Sequence, residues 1–356
     1  MDVVVGVQQA FDVTGERDAR GRAADAGVVF ADADIDEVRW RVHADVHALF
    51  HDVVIAGARV AVAEDALAFQ QQLQQIVVTR IAVGDLPAYS RALADIDVLA
   101  ATNDVVAARQ QQRRSALDLA AIVGWPAGHV PLPDDHREHP QQPPALSTLL
   151  TAARAQHPAL KALSARVQAA RAAVVVEDRA FGLSPVLGAQ LTQEGNPPSQ
   201  GGANWIGLVS VQVPVPSFQR NQGAQAQARA ELAVAEATLA AAQARLDHDV
   251  ARAHSEVVAA VARVDAWGGE IVEKSRTHLQ VLKRAFELGE IDLLALGAGR
   301  ERLLQAQRTA LDARRDAFVA GADLERVVGR ELFDDDGHVS IPDDDHTDGH
   351  DHSEVH

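Results

Sequence analysis

An internal repeat constrains this chain more than any other feature of it. Sliding the sequence against itself at an offset of 204 brings Leu232, Leu239, Leu246, Val250, Val257, Val264 and Ile271 onto Val28, Ile35, Val42, Val46, Val53, Val60 and Leu67. All positions are apolar in both copies, and each set is spaced seven, seven, four, seven, seven, seven. Sevens make a heptad seam, so both stretches read as long helices that bury one stripe against another helix. The four-residue step is a stutter, which unwinds a left-handed supercoil locally and lets long helices pack nearly straight. Polar positions agree as well: Arg41 with Arg245, Asp45 with Asp249, Asp52 with Glu256, and Gln8 with Gln212.

After the seam each copy breaks at a glycine, in Val83-Gly84-Asp85 and Leu288-Gly289-Glu290, and here the offset has become 205. A returning helix follows and ends at Gly124 or Gly329, forty residues on in both copies. Each half therefore reads as strand, long helix, tight turn and returning helix, with the turn making an antiparallel helical hairpin. As one continuous helix, Ala224 to Leu288 would run about 97 Å. That is too long for a compact bundle.

Between long helices lies a hairpin pattern at residues 183–216, two strands joined by a Gly/Pro/Asn/Ser turn. In its second strand Trp205, Gly207, Val209, Val211 and Val213 share one face, and Ile206, Leu208, Ser210 and Gln212 the other. Such alternation suits a membrane β-barrel strand with lipid outside and water inside, and a soluble sandwich strand would look the same. The organisation follows: residues 1–124 form a first, incomplete repeat beginning with a strand at Val3 to Gln9; residues 125–147 are a proline-rich connector; residues 148–329 form the second repeat; and residues 330–356 are a disordered His/Asp-rich tail. The second half carries an extra helix, from His157 to about Arg179, and an extra strand. If the halves are true copies, about fifty residues with a leader sequence are expected upstream of Met1. Taken as written, the chain has no signal peptide and starts in the cytoplasm.

The fold class expected is mainly α with a small β part. Of the 356 residues 47% are hydrophobic but only 4% aromatic, so the helices pack closely through Ala and Val. No run reaches eighteen consecutive apolar residues, so no transmembrane helix is expected. The absence of cysteine excludes disulfides and thiolate metal sites. A net charge of -17 argues against a nucleic-acid partner, since phosphate binding needs a clustered basic surface.

The residues resemble the TolC family of outer-membrane efflux channels, within it the cobalt-zinc-cadmium branch. The resemblance rests on His157-Pro158-Ala159-Leu160-Lys161-Ala162-Leu163, on Val213-Pro214-Val215-Pro216-Ser217-Phe218-Gln219-Arg220-Asn221-Gln222-Gly223, and on Phe286-Glu287-Leu288-Gly289-Glu290-Ile291-Asp292-Leu293-Leu294. Gln8-Gln9-Ala10-Phe11-Asp12-Val13-Thr14-Gly15-Glu16-Arg17 resembles the first-half version of the strand-to-helix passage, with Ala10 where the family usually has proline. The resemblance implies a homotrimer whose strands build one outer-membrane barrel and whose helices build a periplasmic tunnel. It implies a periplasmic adaptor protein at the helical tips, Val83, Gly84, Asp85, Leu288, Gly289 and Glu290, and a proton-driven inner-membrane metal pump behind it. Export through such a channel is passive, so the resemblance implies neither an enzyme nor catalytic residues. A three-stranded contribution leaves an unpaired edge that lipid cannot satisfy, so either Met1 is internal to a longer frame or this is a non-functional truncated copy.

Metal-ligating residues concentrate in the tail, where His338, His346, His350, His352 and His356 stand among Asp343, Asp344, Asp345, Asp348 and Asp351. Imidazole with carboxylate suits loosely bound zinc, cobalt or cadmium, while the bland alternative is a solvated acidic terminus. His43, His47 and His51 recur every four residues along one stripe beside the seam. They read as a metal ladder or as polar residues on a helix flank. His129, His136 and His139 in the connector are weaker candidates. Competing with the channel are a soluble helical metal-buffering protein and a structural coiled coil. Matched strands at the same point of each repeat separate the channel from both.

Overall fold

The computed structural model describes residues 3–126, 139–180, 185–194, 204–213 and 221–333. In chain order the elements are β1 (Val3–Ala10), α1 (Glu16–Ala82), α2 (Tyr89–Val123), α3 (Leu146–Gln156), α4 (Pro158–Arg179), β2 (Val186–Glu194), β3 (Asn204–Gln212), α5 (Gln222–Asp265), a π-helical turn (Ala266–Ile271), α6 (Val272–Glu287) and α7 (Leu293–Val328). Long helices flanking a small sheet are what the repeat requires. Helix α3 departs from the sequence reading, which places the first helix of the second half at His157. Pro158 has no N–H to continue α3 and instead opens α4, where a first-turn N–H needs no partner.

The second departure is the π-helical turn, which divides the long helix expected from Ala224 to Leu288 into α5 and α6. A π turn holds one residue more than an α turn. The offset between repeats is 204 up to Ile271 and 205 at the tip, so the turn ends where the stretch in which the second copy gains its extra residue begins. In α1 the matching residues 62–67 lie in uninterrupted helix.

By contact the chain divides into two compact units, and the boundary falls within α1 and α5. The first comprises Met1–Val38 and Pro158–Arg245. Its sheet is antiparallel in the order β1-β2-β3, with Val7 opposite Ala189 and Ala189 opposite Val209. This register sorts side chains by face. Val3, Val5, Val7, Leu187, Ala189, Leu191, Trp205, Val209 and Val211 share one side with Gln9 and Gln193 towards its ends, while Gln8, Gln190, Thr192, Ser210 and Gln212 share the other with Val4, Val186, Ile206 and Leu208. On the polar side Gly188 is packed so closely that an added Cβ would stand 2.6 Å from Ser210 Oγ. Next to the sheet, Asp12 gathers the amides of Thr14, Gly15, Glu16 and Arg17, which holds its carboxyl below the usual value and starts α1. The end of α4 secures both helix starts: Arg179 Nη1 donates to the Gly15 carbonyl, and Asn221 Nδ2 donates to Glu177 Oε2 at 2.7 Å. Asn221 has a left-handed backbone (φ 59°), which asparagine tolerates better than most residues.

The second unit comprises Arg39–His157 and Leu246–His356. Its core includes seam residues: Val53 packs with Ala116 and Leu119, and Val264 with Ala260, Ala313 and Ala317. Small side chains let these helices approach closely, as the composition predicts. Contrary to the sequence reading, α1 is long and apolar enough in one stretch to cross a membrane by length and composition. Polar residues interrupt its apolar runs without lowering its average, and the same composition serves to bury Val53, Ile55 and Val77.

Candidate functional site

Both tips of the second unit end their helices in the same hydrogen-bonded form. Asp85 N–H donates to the Arg80 carbonyl at 2.9 Å and Gly84 N–H to that of Ile81 at 3.0 Å; Glu290 donates to Ala285 and Gly289 to Phe286 at the same distances. This is the Schellman closure, which needs a left-handed residue, and Gly84 (φ 86°) and Gly289 (φ 79°) supply it. The closure leaves Val83 (71%) and Leu288 (69%) exposed, with Asp85 and Glu290 exposed beside them. Two apolar knobs flanked by carboxylates thus stand where the sequence reading places the tips.

Beneath them Leu73, Val77, Ala94, Leu279, Phe286, Leu296 and Leu303 form one cluster, drawn from α1, α2, α6 and α7. Asp292 accepts from Ala295 N–H at 2.8 Å, so it caps α7. Arg80 is the residue that sequence reasoning misses. Its Nη1 donates to the Phe286 carbonyl at 2.9 Å, its guanidinium lies 5.0 Å from the Phe286 ring, and its Nε is 3.6 Å from Asp85. One side chain therefore ties the first tip to the second. The repeat holds a signal for it, since the counterpart of Arg80 is Ala285.

A second basic residue lies one level deeper. Arg300 is buried, with Nε and Nη2 lacking hydrogen-bond partners, and its guanidinium sits 5.2 Å from the Phe69 ring. Burial pulls its pKa below the usual arginine value, with Asp65 opposing. The aromatic face supplies part of the stabilisation that a carboxylate would otherwise give.

The histidine stripe has a packing role. His51 is buried and stacks on Phe318 with centroids 3.9 Å apart, His43 stacks on Trp40, and His47 Nδ1 lies 3.0 Å from Glu325 Oε2. Glu325 is fully buried, and its other oxygen accepts the amides of Leu332 and Phe333 at 2.9 and 3.0 Å. A carboxylate thus pins the segment after α7 against α1. Among the described residues, no group of three or more His, Asp or Glu side chains is disposed to hold a metal ion. The tail candidates, His338, His346, His350, His352 and His356 with their aspartates, lie outside the described residues, as do His129 and His136. His139 is described and exposed.

The family described as outer membrane efflux protein matches residues 149–330, just over half of the chain. The chain belongs to the outer membrane efflux protein family. CzcC of Cupriavidus metallidurans, a cobalt-zinc-cadmium resistance protein, is 23% identical over 322 residues, covering 90% of this chain and 75% of the relative. Among solved structures, the outer membrane protein VceC of Vibrio cholerae superimposes with a TM-score of 0.73 at 18% identity, covering 92% of this chain and 79% of that one. The CmeC outer membrane channel of Campylobacter jejuni does so with a TM-score of 0.76 at 15% identity, covering 92% and 71%. The fold is therefore that of the outer-membrane efflux channels, mainly helical with a small sheet. As a member of this family the chain is an outer-membrane efflux protein and not an enzyme.

Proposed function

We propose that this efflux protein is the outer-membrane subunit of a tripartite system that exports divalent heavy-metal cations. Three copies pool their strands into one lipid-embedded barrel and their helices into a tunnel, and conduction is passive. The observation that carries the reading is the matched pair of exposed tips, Val83-Gly84-Asp85 and Leu288-Gly289-Glu290, on a chain similar throughout to a cobalt-zinc-cadmium resistance protein. Exposed valine and leucine beside carboxylates suit a protein partner, so the tips dock a periplasmic adaptor that links the tunnel to a proton-driven inner-membrane pump. The acidic, histidine-bearing tail holds zinc, cobalt or cadmium loosely; no cofactor is required for conduction.

The test is complementation of a metal-sensitive strain that keeps its pump and adaptor but lacks their outer-membrane partner. Restored growth on zinc, cobalt or cadmium is the expected result, weakened by charge reversal at Asp85 and Glu290. Sensitivity that persists while the protein accumulates in the outer membrane would overturn the reading. For the tail, zinc titration of the full chain against a chain ending at residue 333 should show saturable binding in the first alone.

A further inference from the structure

Four polar residues where α1 meets the end of α7 are not repeated in the other half of the chain. At the offsets of 204 and 205 the counterparts of His43, His47, Glu325 and Glu331 are Asp247, Ala251, Ala120 and Pro126. The repeated scaffold therefore does not require them. Glu325 is the sharpest case, because it is fully buried where its counterpart is a buried alanine. A buried carboxylate is costly unless its oxygens are met, and this one is met by the amides of Leu332 and Phe333 and by His47 Nδ1.

Anchoring Leu332 and Phe333 fixes the residue before them. Glu331 Oε1 stands 3.7 Å from His43 Nε2, with the two side chains 54% and 44% exposed. That gap is too wide for a hydrogen bond. It is close to the separation of about 3.4 Å that two ligands adopt on one tetrahedral zinc ion with bonds of about 2.0–2.1 Å. The imidazole is held in place from its other side. Trp40 stacks on it with centroids 5.1 Å apart and 17° between the planes, and Trp40 Nε1 donates to the Arg326 carbonyl at 3.4 Å. His43 and Glu331 thus face each other from two anchored backbones, and Trp40, His47 and Glu325 position them.

Two ligands leave the shell of a cation incomplete, and the described residues bring no third His, Asp or Glu to this pair. The chain itself supplies the remainder close by. Asp334, Asp335, Asp336 and His338 follow Glu331 by three to seven residues, a length that spans at most about 25 Å. We propose that the divalent cation held by the tail docks on the body at His43 and Glu331, with imidazole or carboxylate of the tail completing its shell. The mixed nitrogen and oxygen set suits zinc. A bound ion straps the tail to α1, and neither body nor tail makes the whole site. The inference rests on the metal-holding tail proposed above and names where its metal sits.

The test titrates zinc alone into the purified full chain and into the same chain carrying His43→Asn or Glu331→Gln. Each substitution should weaken zinc binding roughly 10-fold or more, the scale on which changes at metal sites act. Zinc should also slow amide hydrogen exchange across residues 329–333 several-fold in the unsubstituted chain and in neither variant. Both side chains are substantially exposed, so melting without zinc should be unchanged. Variants that bind zinc as tightly as the unsubstituted chain would overturn the docking site and leave the tail reading standing. A lowered melting midpoint with unchanged zinc affinity would do the same, by giving His43 and Glu331 a packing role alone. A full chain that binds no zinc would overturn both readings. Saturable binding by a chain ending at residue 333 would mean a site complete without the tail, and would overturn the sharing.

Discussion

At the level of single residues, the glycines of the tips were legible because their requirement is local. A Schellman closure needs a left-handed residue just past the helix, and Gly84 and Gly289 recur at the repeat offset. Arg80 was not legible, because the carbonyl it binds lies 206 residues away. Its loss should be felt at both tips. Arg80→Ala removes a charge-assisted hydrogen bond and a cation–π contact from a mostly shielded site, and should cost about 1–3 kcal/mol. Thermal unfolding reads the loss, and Asp85→Ala, which removes only an exposed partner, should move the midpoint far less. His157 offers a pH-dependent counterpart. Burial holds its pKa below the ordinary 6.5, with a backbone hydrogen bond at Val327 opposing. Between the lowered value and 6.5 the unfolded chain binds more protons than the folded one, so this group's contribution is complete above 6.5 and declines as pH falls through the window. The drop in Tm on acidification to pH ~5 should shrink in His157→Asn, a comparison of two melting series.

Elements were legible where period and offset agree, and the π-helical turn shows how far that extends. The sequence records an offset that grows by one between Ile271 and Gly289, which requires an extra residue, yet it does not say how the helix absorbs it. Only the backbone shows a π turn at Ala266–Ile271, with Gly268 and Gly269 inside it. Its counterpart in α1 is regular, so the two long helices should answer differently to the same deletion. Removing Gly269 lets α5 join α6 as a plain α-helix, with Leu279 and Phe286 still facing the tip cluster. Removing the exposed Ala68 from α1 instead rotates everything beyond it by about 100° and turns Leu73 and Val77 out of that cluster. Losing two such side chains from a core should cost several kcal/mol, on the order of 2–5 for a leucine alone. Comparable melting of the two deletions would contradict this account of the turn. Helix α3 escaped the sequence reading for the opposite reason: eleven residues carry too few periods to announce a helix beside a run of prolines.

For the molecule as a whole, a single copy is visibly unfinished. Val28, Ile35 and Val42 of the seam stay exposed, while Val53, Val250 and Val257 are buried, so the heptad pattern was right about which residues seek cover and silent about which copy supplies it. The sheet makes the same point more strongly. Among the described residues its outer strands β1 and β3 each have one unpaired edge, and one face is apolar through its middle rows, with Gln9 and Gln193 towards its ends. In lipid an open edge is too costly to keep, so the edges must be met by further strands while the apolar face meets hydrocarbon. Alternation in β3 alone could not distinguish this from a soluble sandwich. The three-strand register carries the alternation across the sheet, placing Val7, Ala189 and Val209 abreast on one side and Gln8, Gly188 and Ser210 abreast on the other, and membership of an outer-membrane family is what assigns the apolar side to lipid. Neighbouring substitutions should therefore diverge. Val209→Arg sets a cation in the apolar face at about +2–4 kcal/mol near the bilayer midplane and should deplete the protein from the outer-membrane fraction. Ser210→Arg, one residue along, faces water inside the barrel; it should leave the amount in that fraction unchanged and alter conductance in planar bilayers. Equal depletion by both would mean that the sheet does not meet lipid on the face assigned here.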